Sequence, residues 1–165
     1  MKTDILLDYK INKENSTIEI VREYENSLEL LWRAWTESEL LEQWWAPKPW
    51  RAKTKTLDFK EGGVWHYAML GPSGEKHWGK ATYLEIIPQK SFTTSDGFCD
   101  ESGELDPEFP ETLWHCTFSP KEDKVRVKVT LTFSKTADLE KTIKMGFLEG
   151  FTSGLNQLGE LLSSL

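Results

Sequence analysis

Residues 31–50 read LWRAWTESELLEQWWAPKPW and carry five of the chain's eight tryptophans, Trp32, Trp35, Trp44, Trp45 and Trp50. An indole is bulky and its N–H needs a partner once buried, so such a cluster asks for a shaped wall of core or pocket. Leu30, Leu31 and Trp35 follow Asn26 and Glu29, a capping-box-like helix start. Thr36 and Glu39 make a second capping box before Leu40, Leu41 and Trp44, and Pro47 and Pro49 stop helical structure. The stretch reads as two short helices, and its flanks decide what they cover.

Upstream, residues 16–24 are β-branched and partly alternating, a first strand. Downstream, strands are predicted over residues 51–59, 64–70, 77–87, 91–95, 112–118 and 125–133. Gly62-Gly63, the turn Gly71-Pro72-Ser73-Gly74 and Pro88 punctuate them. In the last strand Val125, Val127, Val129, Leu131 and Phe133 alternate with polar residues, the pattern of an antiparallel sheet with one buried face. Residues 138–165 read as one long helix with the apolar stripe Leu139, Ile143, Phe147, Phe151, Leu155, Leu158, Leu162 and Leu165. The class is α+β: an antiparallel sheet of about six to seven strands, two short helices after strand 1, and a long C-terminal helix as the only large cover for the buried face. A single domain over residues 1–165 is expected, with residues 1–15 a loosely attached segment.

The balance of 20 basic against 27 acidic residues, net −7, argues against nucleic acid or an anionic membrane as the main partner. Lys48, Arg51, Lys53, Lys55 and Lys60 crowd one segment and read as a solvated strand face. The N-terminal apolar run, Ile5 to Leu7, is broken by Asp4 and Asp8, which is not a signal peptide, and no run is long enough to span a bilayer. A cytoplasmic location is expected. Cys99 and Cys116 lack metal-type spacing and are expected as free thiols.

Gly146, Gly150 and Gly154 repeat every fourth residue in the last helix, at a cost of about 3 kcal/mol relative to alanine. Close approach of the helix to a strand or room for a ligand would explain them. A membrane-style helix dimer is disfavoured by Lys141, Lys144, Glu149 and Glu160. Alternation sets Trp65, Tyr67 and Met69 on one face of a strand, and Trp114, Cys116 and Phe118 on one face of another. Turned toward the helix, they either fill a core or line an apolar cavity with a few polar tips, the usual form of a small-molecule site. Arg22 shares parity with Ile18, Ile20 and Tyr24, as a salt bridge at the strand end or a bidentate anchor for a ligand carboxylate. Residues 96–111 hold seven acidic and no basic residues; they read as a solvated loop, conceivably a lid, without the register of a calcium loop. His66 and His115 fall opposite Trp65 and Trp114, toward solvent, and with His77 show no metal-ligand spacing. No catalytic or cofactor motif is present. Glu85, Asp58 and Tyr83 are unremarkable acid–base candidates.

The ordered set Leu31-Trp32-Arg33-Ala34-Trp35-Thr36, Trp44-Trp45-Ala46-Pro47 and Phe59-Lys60-Glu61-Gly62-Gly63-Val64-Trp65 resembles the bacterial family named after the activator of the heat-shock protein 90 ATPase, in the START-like (SRPBCC) superfamily. Gly71-Pro72-Ser73-Gly74, the run from Tyr83 to Pro88, and Gly150-Phe151 ahead of Leu155 and Leu158 fit as well. Ala46 stands where that pattern has glycine, and Phe151 where tryptophan is common. The resemblance implies a helix-grip fold, a curved antiparallel sheet around the C-terminal helix with a cavity between them. Relatives of that fold bind lipids, sterols and polyketides, and some are cyclases or hydrolases. The expected function is therefore non-catalytic binding of a small hydrophobic or amphipathic molecule, without cofactor or metal. Trp65, Tyr67, Met69, Trp114, Phe118, Phe147, Phe151 and Arg22 would line the cavity, with Trp35 and Trp45 closing one end. An enzyme in the same cavity would need a perturbed acid or base facing it. A chaperone partner would need an exposed patch, around Trp44, Trp45 and Trp50; a homodimer is the remaining alternative.

Overall fold

The computed structural model describes residues 7–165; Ile5 and Leu6 of the N-terminal apolar run lie outside them. The elements are β1 (Leu7–Asn12), β2 (Thr17–Tyr24), α1 (Leu28–Thr36), α2 (Ser38–Leu41), β3 (Arg51–Leu57), β4 (Val64–Leu70), β5 (Lys76–Ile87), β6 (Ser91–Cys99), β7 (Thr112–Lys121), β8 (Lys124–Thr132), α3 (Thr136–Lys144) and α4 (Phe147–Ser164). The strands form one eight-stranded sheet in the order β1-β2-β8-β7-β6-β5-β4-β3, with antiparallel neighbours throughout. Extra residues interrupt the ladders at Lys55 and Leu84, and such bulges bend and twist a sheet. The result is the helix-grip arrangement, with the helices on one face.

Chain order explains why the tryptophan stretch is so apolar. β2 is next to one edge and β3 is the other edge, so α1 and α2 must carry the chain across the covered face. They bury Leu31, Trp32, Trp35, Leu41 and Trp44 against the sheet on the way. On β8, Val125, Val127, Val129 and Leu131 are buried as the alternation requires.

Four expectations need correction. The loose segment over residues 1–15 contains β1, an edge strand in register with β2 from Leu7↔Arg22 to Asn12↔Thr17; its polar alternate residues conceal it. The cap of α1 is Ser27, whose Oγ accepts from the Leu30 N–H at 3.1 Å, while Asn26 donates to the Leu162 carbonyl. Thr36 ends α1, its hydroxyl donating to the Trp32 carbonyl at 2.7 Å, and α2 starts behind Glu37 without a side-chain cap. Lastly, the long C-terminal helix is two helices. Gly146 has φ +88°, a left-handed conformation open to glycine at low cost, and the break there separates α3 from α4. Leu165 lies outside the buried stripe, 61% exposed.

The glycine repeat thus divides into three roles. Gly146 makes the break. Gly154 lets α4 lie against the connection after α2, where a Cβ would stand 3.1 Å from the Trp44 carbonyl oxygen and 3.3 Å from that of Trp45. Gln157, one turn on, donates to the Trp44 and Ala46 carbonyls at 3.1 and 2.8 Å and accepts from the Lys48 N–H at 2.8 Å. Gly150 meets only Pro47, at 3.8 Å.

These contacts predict opposite effects of two substitutions. Gly150→Ala should raise stability by about 1 kcal/mol through helix propensity, or roughly 2–4 °C in Tm. Gly154→Val, driven into the carbonyls of Trp44 and Trp45, should lower it by about 1–3 kcal/mol. Thermal unfolding of the two variants decides; equal shifts would show that α4 does not dock through Gly154.

Candidate ligand cavity

Between the covered face of the sheet and the α3–α4 break lies a cavity of about 350 Å³. β4, β5, β6, β7 and β8 form its floor, α3 and α4 its roof, and Trp45 and Pro47 one end. Trp45 organises the aromatic wall: its ring lies 5.2 Å from Trp65, 6.2 Å from Tyr67, 5.7 Å from Trp114 and 6.1 Å from Phe151. Trp65 and Tyr67 are stacked at 4.0 Å, Phe147 and Phe151 at 5.4 Å, and Trp114 sets its edge against both phenylalanines. Tyr67 leans across to its strand partner Gly79, where a Cβ would stand 3.0 Å from the hydroxyl. The absent side chain on β5 makes room for the phenol.

The rim is built differently. Phe98 packs edge-on against Phe109 at 5.0 Å, and the Lys141 ammonium of α3 sits 4.2 Å over the Phe109 ring while donating to the Glu108 carbonyl at 3.5 Å. Phe98 is 44% and Met145 55% exposed, so the cavity opens to solvent on this side.

A smaller chamber, about 20 Å³, continues inward among Trp35, Trp65, Tyr83, Phe92 and Cys116. Trp45, Trp114 and Asp96 line both spaces and therefore stand at the neck between them. The indole N–H of Trp35, on the inner chamber, has no hydrogen-bond partner among the described residues.

Asp96 is the one carboxylate at that neck. Burial pushes its pKa up to about 7, the Thr94 hydroxyl bond opposes this, and the Glu111 charge adds to it. Among the described residues a single hydrogen bond, from Thr94 Oγ1, reaches it. Burial likewise raises the Tyr67 and Tyr83 phenols and the Cys116 thiol well above their ordinary ranges, with the Asp96 charge acting in the same direction on each.

Of the expected site residues, Trp45, Tyr67, Met69, Trp114, Phe147 and Phe151 line the large cavity, and Trp35 and Trp65 the inner chamber. Phe118 is packed in the core against Trp32 and Trp35 and reaches neither. Arg22 also lies elsewhere, beneath α4: it donates to Asn156 Oδ1 at 2.8 Å, stands over the Tyr24 ring, and lies 3.6 Å from where a Gly159 Cβ would be. Among the described residues it makes no salt bridge. His66 is buried instead of solvent-facing, its ring 3.1 Å from the Asp100 carbonyl and against Trp78, because residues 100–103 fold over that outer face. His115 is exposed as expected. The patch expected around Trp44, Trp45 and Trp50 is not formed: Trp44 is fully buried, donating to the Ala34 carbonyl at 2.9 Å, Trp45 faces the cavity, and Trp50 stacks on His77. Glu85 and Asp58 are exposed, and Tyr83 is buried.

Asp96 is the residue that sequence reasoning misplaced, in a solvated loop. β6 runs on to Cys99, and parity with buried Phe92 and Thr94 turns Asp96 inward; extending that alternation two residues would have found it. Among the described residues no group of three His, Cys, Asp or Glu could hold a metal ion, and no helix is long and apolar enough to cross a membrane.

A family model described as "Activator of Hsp90 ATPase homolog 1-like protein" matches residues 25–163. A crystal structure of a Mycobacterium smegmatis protein is similar at 28% identity and TM-score 0.88, over 96% of each chain. A solution structure of an Arthrobacter aurescens protein gives 29% identity and TM-score 0.90 over 96% of this chain and 92% of that one. A Staphylococcus epidermidis protein gives 28% identity and TM-score 0.83, over 94% of each. No curated protein matches the sequence.

The raised pKa of Asp96 has a stability consequence. The folded carboxyl stays protonated up to about pH 7, whereas the unfolded one ionises near its ordinary 3.8. Across that window the native state holds a proton that the unfolded state has lost, so stability falls as pH rises from about 4 to 7 and levels off above. At about 1.4 kcal/mol per unit, reduced by solvent in the cavity, the loss is on the order of 2 kcal/mol. Asp96→Asn removes the ionisation. Its Tm should match the wild type near pH 4 and exceed it by several degrees at pH 8; a difference independent of pH would refute the assignment.

Proposed function

Because the chain belongs to the activator of Hsp90 ATPase homolog 1-like family, matched over residues 25–163, we propose that it binds one small hydrophobic or amphipathic molecule between the sheet and the α3–α4 break. The observation that carries this reading is the cavity of about 350 Å³ with aromatic walls and one polar neck. A core that existed only to be filled would close such a space, since apolar lining left in contact with water forfeits the gain of burial. Here the space is held open by Gly150, by the helix break at Gly146 and by the rigid aromatic cluster around Trp45. Apolar burial at about 25 cal/mol per Å² would supply most of the affinity, with Asp96 and Tyr67 orienting the molecule.

The chaperone reading loses its surface, because Trp44 and Trp45 are turned inward. An enzyme of cyclase or hydrolase type in the same cavity has one observation in its favour, the perturbed acid Asp96 at the neck. It has no second group in a stated catalytic geometry with it.

Native mass spectrometry of gently purified protein should show an added mass that is lost on unfolding. Titration with an apolar fluorescent probe should quench tryptophan emission, since Trp45 and Trp114 line the cavity. Gly150→Leu projects a side chain into open space beside Pro47 and should weaken probe binding at least tenfold while keeping the fold. Unchanged affinity in that variant would place the ligand elsewhere.

A further inference from the structure

Building on the cavity as a ligand site, we propose that its neck is an organic-cation site: Asp96, framed by the rings of Trp45, Tyr67 and Trp114, takes the protonated amine of an amphipathic molecule whose apolar body fills the outer cavity. Three observations converge on this class. The first is the unfinished hydrogen bonding of the carboxyl group. Four lone-pair sites are available on an ionised carboxylate, yet among the described residues only Thr94 donates to Asp96, which is half-buried, so its remaining sites are open to the cavity it lines. Thr94, moreover, bonds one oxygen, leaving the other for a ligand.

The second is the sign of the surroundings. Among the described residues no lysine or arginine forms an ion pair with Asp96, and the charge that acts on it, Glu111, is of the same sign. Glu111 is held in place by the Ser95 hydroxyl at 2.7 Å. The groups whose ionisation the Asp96 charge opposes are Tyr67 on β4, Tyr83 on the adjacent β5 and Cys116 on the adjacent β7, all pushed toward their neutral forms. Across the outer cavity stand His77, Asp138 and Lys141, and Lys141 is engaged at the rim with Phe109. The neck thus offers negative potential and neutral donors, with no resident cation.

The third is the aromatic frame. Trp45 and Trp114 line both chambers beside Asp96, and Tyr67 feels its charge directly. Indole and phenol faces attract cations, most strongly where water is excluded. Aromatic faces alone would serve any apolar group. Carboxylate and aromatic faces together favour an ammonium, which can donate to the free oxygen while lying against the rings.

The test compares decylamine, decanol and decanoate, three probes with one chain and different ends, by calorimetry and by tryptophan quenching at pH 8. Decylamine should bind at least tenfold more tightly than decanol, and decanoate most weakly. The preference for the amine should shrink toward pH 5.5 as Asp96 takes up its proton. Near pH 7 amine binding should release protons, seen as a heat that depends on the buffer. In Asp96→Asn the amine preference should vanish, and a cooperative thermal unfolding transition shows that the variant is folded. Equal affinities for amine and alcohol, or a preference that survives Asp96→Asn, would overturn the cation site and leave the cavity as a ligand site. Failure of all three probes to bind would overturn both.

Discussion

The contact between α4 and the backbone of residues 44–46 sets the rest of the molecule. Gly154 allows the helix to come within van der Waals distance of the Trp44 and Trp45 carbonyls, and Gln157 locks the approach with three hydrogen bonds to residues 44–48. Such bonds gain only about 1 kcal/mol each in net stability. Their larger effect is geometric. With α4 pinned at its middle, its N-terminal turn must pass over the sheet at a fixed height. The space beneath Phe147 and Gly150 is the volume that this height leaves over.

The same contact orients the aromatic cluster. Residues 44 and 45 are adjacent, yet Trp44 points into the core, donating to the Ala34 carbonyl, and Trp45 points to the cavity. The carbonyls of Trp44 and Ala46, on either side of Trp45, are both held by Gln157 of α4, which fixes the backbone from which the two rings diverge. Trp45 meets Trp65, Tyr67, Trp114 and Phe151 through edge or tilted contacts, each worth about 0.5–1.5 kcal/mol beyond its buried area. A wall assembled from mutually braced rings resists collapse in a way that aliphatic side chains, with more rotamers, do not. That rigidity is why an open cavity can persist beside a well-packed core at Ile18, Leu31, Val127 and Leu158.

The fold was largely legible because its signals are periodic. β8 alternates cleanly, the tryptophan stretch has helical spacing, and prolines mark its end. Where the reading failed, a local rule lost to a contact made across the fold. β1 is an edge strand with little to bury, so its alternation carries few apolar residues. The apolar stripe of the C-terminal segment continues in register from Ile143 to Phe147, so periodicity alone cannot see the break at Gly146; glycine at that point was the only sign. Ser27 took the cap from Asn26 because Asn26 is bound to the last turn of α4, a partner more than a hundred residues away. For the cavity, strand parity turns Tyr67, Met69 and Trp114 to the face that lines it. Parity could not separate Phe118, equally inward but beneath α1, because which part of the covered face lies under which helix is a tertiary fact.

Asp96 illustrates the opposite limit. An acid within an acidic run reads as solvated on composition, and that rule holds for its neighbours Asp100 and Glu101, which are exposed. It fails at Asp96 because the sheet continues through the start of the run, and a strand imposes its period of two whatever the residue. The consequence is a carboxyl group held where ionisation is disfavoured, with one donor and no paired cation among the described residues. Asparagine of nearly the same shape would satisfy Thr94 without that cost. A charge whose retention weakens the fold is better explained by what it does than by what it supports, for local rules tend to be broken at functional sites. On the proposed reading the large cavity and Asp96 belong to one design, in which the aromatic wall would supply the affinity and the carboxylate would select which end of a ligand enters first.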